Sequence, residues 1–321
     1  MITIRVQSDS GIIKGDKAVK GCWVDAHDVG TEDLGRLEKE FGIPAELLTD
    51  IMDSNEQARI EKEDDYLAII IRLPVFDPLI EIPYFTVPLG IILFDDKIVT
   101  VCQKSSDAVR DIAHNRVRGI VMRNHEAFIL NMLNRAAFTF LRALKDLNRD
   151  AGDIERTLQK SVHNNELIQL LSLQKSLVFF ATSIKSNEII LEKMQKLPYL
   201  RLKEEEQELL EDVIIENVQA MEMANIYSSF LAGTMDAFAS VISNNLNIVM
   251  KRLAVVNIVL MIPTLIYSFY GMNVELPFLH GGGMTTIGIM LFSLFASTIG
   301  VILLSFDKTK KIKRVKKRHL G

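Results

Sequence analysis

The chain has 321 residues, 48% of them hydrophobic, and a formal charge of −4. That length allows a domain with a sizeable core plus further elements, and the average composition does not by itself announce a membrane protein. Two cysteines, Cys22 and Cys102, exclude a disulfide framework and suit a reduced cytoplasmic setting. The opening MITIRVQSDS lacks a basic region followed by an apolar core, which predicts no cleavable signal peptide.

Residues 1–122 read as an α/β domain. Strand-like runs are ITIRVQ, GCWVDA, DYLAIIIRLP, TVPLGIILFDD and KIVTVCQ, and FDDKIVTV has the form of a hairpin turning at Asp95-Asp96. Between them, TEDLGRLEKEFG is a helix with Thr31 as its expected cap, an acidic first turn and a closing Gly42; IPAELLTDIMD is another. Residues 123–200 hold apolar positions at helical spacing with no proline from Asn124 to Lys196, which predicts two long antiparallel helices turning near Ser161–Glu166. Pro198 breaks the pattern, and no further proline occurs until Pro263. A helix from Leu202 to Tyr270 would be about 100 Å long at 1.5 Å per residue. Such a helix is unstable alone in water and must pack against copies of itself or other helices.

The charge is unevenly placed. No charged residue occurs from Leu253 to Val274, and after Glu275 none occurs from Leu276 to Phe306. Crossing a bilayer core takes about 20 apolar residues, so two spans fit, Leu253–Tyr270 and Thr286–Phe306, joined by an outer loop over 271–285. Buried core helices are the alternative, but these are usually shorter. The tail 307–321 carries +7, so the residues before it carry −11. Together with Lys251-Arg252, that tail places both termini on the cytoplasmic side, with Glu275 and His280 outside. Its position beside a span favours lipid headgroups over nucleic acid as its contact.

Alternating steps of four and three along the long helix give Asp236, Ser240, Ser243, Asn247, Met250, Ala254, Asn257, Met261, Thr264 and Ser268. A dry coiled coil wants Leu, Ile or Val on such a seam; here the seam is small, polar or methionine, with the aliphatic residues on its flanks. Two readings fit: polar glue between membrane helices, or one face of a pore in a symmetric ring of subunits, which keeps Asn257 and Thr264 off lipid. In the second, Asn273 forms a ring of amide oxygens at the outer mouth. Mg2+ sheds its waters reluctantly. Neutral oxygens can accept hydrogen bonds from its hydration shell, and they hold it weakly enough to let it leave.

Tyr270-Gly271-Met272-Asn273, at the end of the first of two C-terminal spans, resembles the Y/F-G-M-N signature of the CorA family of divalent-cation channels. SNNLNIVMKRLAVVNIVLMIPTLIYSFYGMN resembles the family's stalk and first span, and WVDAHDVGTEDLGRLEKEFGIP and ARIEKEDDYLAIIIRLPVFD resemble its cytosolic domain. The resemblance covers nearly the whole chain. It implies a funnel-shaped homopentamer in the cytoplasmic membrane that carries hydrated Mg2+ inward, with Co2+, Ni2+ and Zn2+ as alternative ions. Gly271, Met272 and Asn273 match the selectivity loop. Thr264, Met261, Leu253, Met250, Asn247 and Asp236 match pore-lining positions and fall on or beside the polar seam, which also holds Asn257 and Ser268. Regulatory Mg2+ between subunits is implied at Asp212, with Asp77 of a neighbouring subunit as its partner.

The chain departs from the family pattern in three places. Phe278 of ELPFL stands where many members have glutamate, leaving Glu275 as the outer carboxylate; the loop HGGGM is unusually rich in glycine; and Asn257 puts an amide where a small or apolar residue is usual, adding a second constriction. Zinc-transporting relatives share the architecture. Zn2+ or Co2+ would favour His and Cys ligands, and in the membrane half there is no Cys and only His280 near the pore. An anchored enzyme would need a motif that is not seen: the six histidines are scattered, with no glycine-rich phosphate loop and no nucleophile motif. A non-transporting membrane scaffold would not need the polar seam.

Overall fold

A computed structural model describes residues 1–9, 11–117, 119–160, 164–196, 202–272 and 283–318. The chain divides into two compact units, Met1–Asp236 and Ala237–Gly321.

The first unit is built on a seven-stranded sheet. Its strands are β1 (Ile2–Ser8), β2 (Gly11–Lys14), β3 (Cys22–His27), β4 (Arg59–Lys62), β5 (Leu67–Phe76), β6 (Tyr84–Leu93) and β7 (Lys97–Cys102), in the order β2-β1-β3-β7-β6-β5-β4. Every neighbouring pair is antiparallel except β3 and β7, which run parallel. The connection between that pair carries the first two helices, α1 (Thr31–Phe41) and α2 (Ala45–Met52), as a parallel crossover requires. The central strands are apolar on both faces because both are covered. Leu37, Phe41, Leu47, Leu48 and Ile51 of α1 and α2 pack on Val24, Ile70, Ile92 and Val99 on one side. On the other, Trp23, Ile69, Ile71, Leu89 and Ile91 meet α3 (Asp107–Ala113), α4 (His125–Lys160) and the end of α5 (Asn164–Met194). Each such buried side chain contributes about 1.5–3 kcal/mol relative to exposure.

Polar links fix these layers in register. The Asn187 side chain on α5 accepts from the Arg72 backbone N–H and donates to its carbonyl, both at 2.8 Å. Thr86 and Ser183 hydroxyls meet at 2.8 Å. At the sheet edge, the Asn115 amide pairs with both backbone groups of Ile12, at 2.7 and 2.8 Å, which blunts an otherwise open strand. Sequence reasoning expects Thr31 to cap α1; the cap is Gly30, because Asp33 reaches back to accept the Gly30 N–H at 3.3 Å. Gly42 closes the helix in the left-handed conformation, φ 75°, as expected. The expected pair of long helices is α4 and α5; part of their turn, Ser161–His163, lies outside the described residues.

The sixth helix, α6 (Glu204–Tyr270), is a single run of 67 residues. Glu206 in its first turn accepts from the Asn124 amide at 2.6 Å and from the Lys203 N–H at 2.7 Å, tying the helix start to the head of α4. Leu210 and Val213 then join the core. The second unit holds the rest of α6 and α7 (Gly283–Arg318). The helix α7 continues unbroken through the expected span 286–306 and into the basic tail.

Candidate ion pathway and metal-binding residues

Among the described residues, two helices are long and apolar enough to cross a membrane by composition, α5 and α6, and the described apolar part of α7 is Thr286–Gly300. Burial separates them. Nearly half of the apolar stretch of α5 is buried, with Leu170, Leu173, Leu177 and Phe180 turned inward, so α5 is a core helix; none of the apolar stretch of α6 is buried within the chain. An apolar run with no fully buried residue needs lipid or other helices around it.

Within the second unit, α6 has two distinct faces. Val255, Val259, Ile262, Ile266 and Tyr270 are partly buried, whereas Asn257, Met261, Thr264 and Ser268 are exposed. At 3.6 residues per turn, the centres of these rows lie roughly 170° apart around the helix. Small residues make the close approach to α7 possible. Ser293, Ala296, Ser297 and Gly300 form a covered row on α7, and a Cβ added at Gly300 would sit 3.1 Å from Ile262 Cδ1. The polar seam is therefore on the side of α6 turned away from α7. Higher up the seam toward the first unit, Asn247, Met250 and Leu253 are also exposed, as is Asp236 at the boundary of the two units. The helix ends where the Gly271 N–H donates to Tyr267 O at 2.9 Å, followed by Met272 in a bend. Asn273 and Glu275 lie outside the described residues.

The two expected regulatory carboxylates belong to the first unit. Asp212 is exposed on α6 and forms no hydrogen bond or ion pair with any described residue. Asp77 follows β5 at the start of its connection to β6. Its Oδ2 pairs with Lys104 Nζ at 3.0 Å and its Oδ1 accepts the Leu79 N–H at 3.1 Å. The Lys104 bond, helped by the Leu79 N–H, holds this carboxyl below the usual range. One chain does not bring Asp77 and Asp212 into an ion-binding cluster, and no group of three or more His, Cys, Asp or Glu among the described residues is arranged to hold a metal. Lys104 was not legible as part of this site, because nothing in KSSD signals that the strand end folds back on the turn before β6.

Residues 19–308 match the model of the CorA-like Mg2+ transporter protein family. The chain belongs to that family. It is 27% identical over 257 residues to the cobalt/magnesium transport protein CorA of Methanocaldococcus jannaschii, covering 78% of this chain and 79% of the relative. It is 24% identical over 302 residues to the protein of the same description from Thermotoga maritima, covering 90% and 82%. The complete structure of the CorA magnesium transporter from M. jannaschii superposes with a TM-score of 0.75 at 23% identity, over 95% of this chain and 96% of that one. This likeness bears out the α/β domain followed by long helices and a C-terminal pair of apolar helices.

Proposed function

We propose that the chain carries divalent cations across the cytoplasmic membrane, as the names of its CorA relatives imply, and that its main cargo is hydrated Mg2+ moving inward. The observation that carries this reading is the exposed row Asn257, Met261, Thr264 and Ser268 on the side of α6 away from α7. Facing lipid, such a row would leave an amide unpaired at a cost of several kcal/mol; facing the matching rows of other copies, it lines a path. Five copies around one axis form the pathway, with α7 behind α6. Both termini are cytoplasmic, since Lys251-Arg252 and the basic tail flank the spans on that side.

Ions enter past Gly271, Met272 and Asn273. The uncharged Asn273 ring accepts hydrogen bonds from the water shell of the cation, which travels without exchanging its inner waters. Met250, Leu253 and Met261 supply apolar constrictions that conduct when wetted. Internal Mg2+ held between Asp212 of one subunit and Asp77 of the next favours the closed arrangement, because the ion binds that arrangement better than the open one.

The test is uptake by proteoliposomes holding the purified full-length chain, with Mg2+, Co2+, Ni2+ and Zn2+ supplied singly. Mg2+ uptake exceeding the other three supports the reading. Uptake of Zn2+ alone would transfer the architecture to another ion, and uptake of none would refute it.

A further inference from the structure

Asn257 is an amide in the α6 span with nothing to bond to among the described residues. The Thr264 hydroxyl donates to the Leu260 carbonyl at 2.8 Å, and Thr298 does the same to Leu294 at 2.7 Å. Those hydroxyls are satisfied by their own helices. Asn257 has a carbonyl oxygen and two N–H donors, is exposed, and hydrogen-bonds to no described residue. Its side of α6 is not the side that packs on α7, where Val255, Val259 and Ile262 are the covered residues. Its neighbours on this side of the helix are apolar: Leu253, beside the seam, and Met261, on it, 53% and 63% exposed, stand four residues away in either direction. Four residues are about 6 Å of helix. An amide is thus set between two hydrophobic levels, roughly 8 Å inside the cytoplasmic edge marked by Lys251-Arg252.

We infer that the Asn257 side chains of the assembled copies form a second site for a hydrated divalent cation, separate from Asn273 and nearer the cytoplasm. The inference rests on the reading of this seam as the ion pathway. A fully hydrated divalent ion presents outward-pointing water hydrogens, and the amide oxygens accept them without displacing inner-shell water. The NH2 groups bond to a neighbouring copy's amide or to second-shell water. An apolar stretch running from Leu253 to Met261 without interruption would dewet as a unit. Water held at the Asn257 level divides it, and the ion crosses in two shorter steps with a resting place between. A hydroxyl in place of this amide would still hold water there; an aliphatic side chain would not.

The experiment compares Asn257→Leu and Asn257→Ser in the full-length chain, reading Mg2+ uptake in proteoliposomes alongside the oligomeric state by size-exclusion chromatography. The expected result is an uptake at least roughly tenfold lower in Asn257→Leu, as for loss of a buried polar partner. Assembly should be intact in both, and Asn257→Ser should retain most of the parent rate. Parent-level uptake in Asn257→Leu overturns the site. So does a loss of uptake that accompanies loss of assembly, which assigns Asn257 to contacts between helices. To separate these outcomes from failure of the pathway reading, Met261→Cys and Ile262→Cys are probed with a water-soluble thiol reagent. The native Cys22 and Cys102 are buried and give little background. A reactive Met261→Cys beside an unreactive Ile262→Cys supports the pathway; the reverse pattern removes the pathway and this site together.

Discussion

At the scale of single residues, Lys104 changes how Asp77 can act. A carboxylate already paired with an ammonium at 3.0 Å must release it before it can serve Mg2+, so in the proposed regulatory site Lys104 would compete with the ion. Lys104→Met is expected to lower the internal Mg2+ concentration that half-closes the channel, roughly tenfold if the pair is worth a typical charge-assisted bond. Asp212→Ala is expected to leave transport open at internal Mg2+ levels that close the parent. Uptake assays at graded internal Mg2+ measure both, and unchanged inhibition in both variants would place the regulatory ion elsewhere. A second carboxylate tunes stability. Burial pushes the Asp111 carboxyl upward, but Arg135 and Arg116 bond to it and outweigh that effect, leaving it below its ordinary value. A lowered folded value means that Asp111 adds stability above its unfolded pKa of about 3.9 and loses it as pH falls further. The midpoint of thermal unfolding of the full chain should therefore fall below about pH 4, and Asp111→Asn should flatten that decline. Asp111 owes its role to partners 5 and 24 residues away and Lys104 to one 27 residues away, a closeness that spacing in the sequence did not display. The Asn257, Met261, Thr264 and Ser268 row was legible because one helix carries it.

At the scale of elements, two close approaches are set by glycine. Gly90 on β6 lies under α2, where a Cβ would fall 2.2 Å from Ile51 Cδ1. Ile51 is fully buried and has nowhere to go, so Gly90→Ala is expected to cost about 1–3 kcal/mol, the usual penalty for overpacking. Chemical denaturation followed by far-UV circular dichroism checks it. Gly300 sets the spacing of α6 and α7. Gly300→Leu should push the helices apart and reduce uptake, while Gly300→Ala asks Ile262 to yield only by a few tenths of an ångström and should be tolerated. The long helices and central strands were readable in advance because their apolar periods are long and uninterrupted. The strands β2 and β4 and the helix α3 escaped, each for a local reason. GIIK and RIEK are four-residue edge strands with too little alternation to register, held by Asn115 and by β5 respectively. DAVRDIA is a two-turn helix that owes its place to the core beneath it, with Ala108, Val109, Ile112 and Ala113 all buried. The same logic explains α5, whose composition alone suits a membrane and whose packing does not.

At the scale of the whole molecule, the charge distribution supplies a reason for regulation by a cation. The residues before the tail carry −11 and the tail +7. Repeated around the proposed ring, the acidic parts would repel one another, and divalent ions at the proposed inter-subunit sites would relieve that repulsion. In the proposed regulation, emptying those sites as internal Mg2+ falls would release the clamp and free the pathway. A ring of subunits would also suit the long helix, since most of α6 beyond Phe238 is exposed, with no cover from the described residues of its own chain. In the proposed pathway a ring of neutral amides admits a hydrated cation to a path along α6, and Asn273→Ala removes that ring. Initial Mg2+ uptake is measured in proteoliposomes containing the parent or the variant, with the oligomeric state of each verified by size-exclusion chromatography. Asn273→Ala is expected to assemble like the parent and to take up no Mg2+ above protein-free vesicles. Uptake at the parent rate by the assembled variant would contradict it.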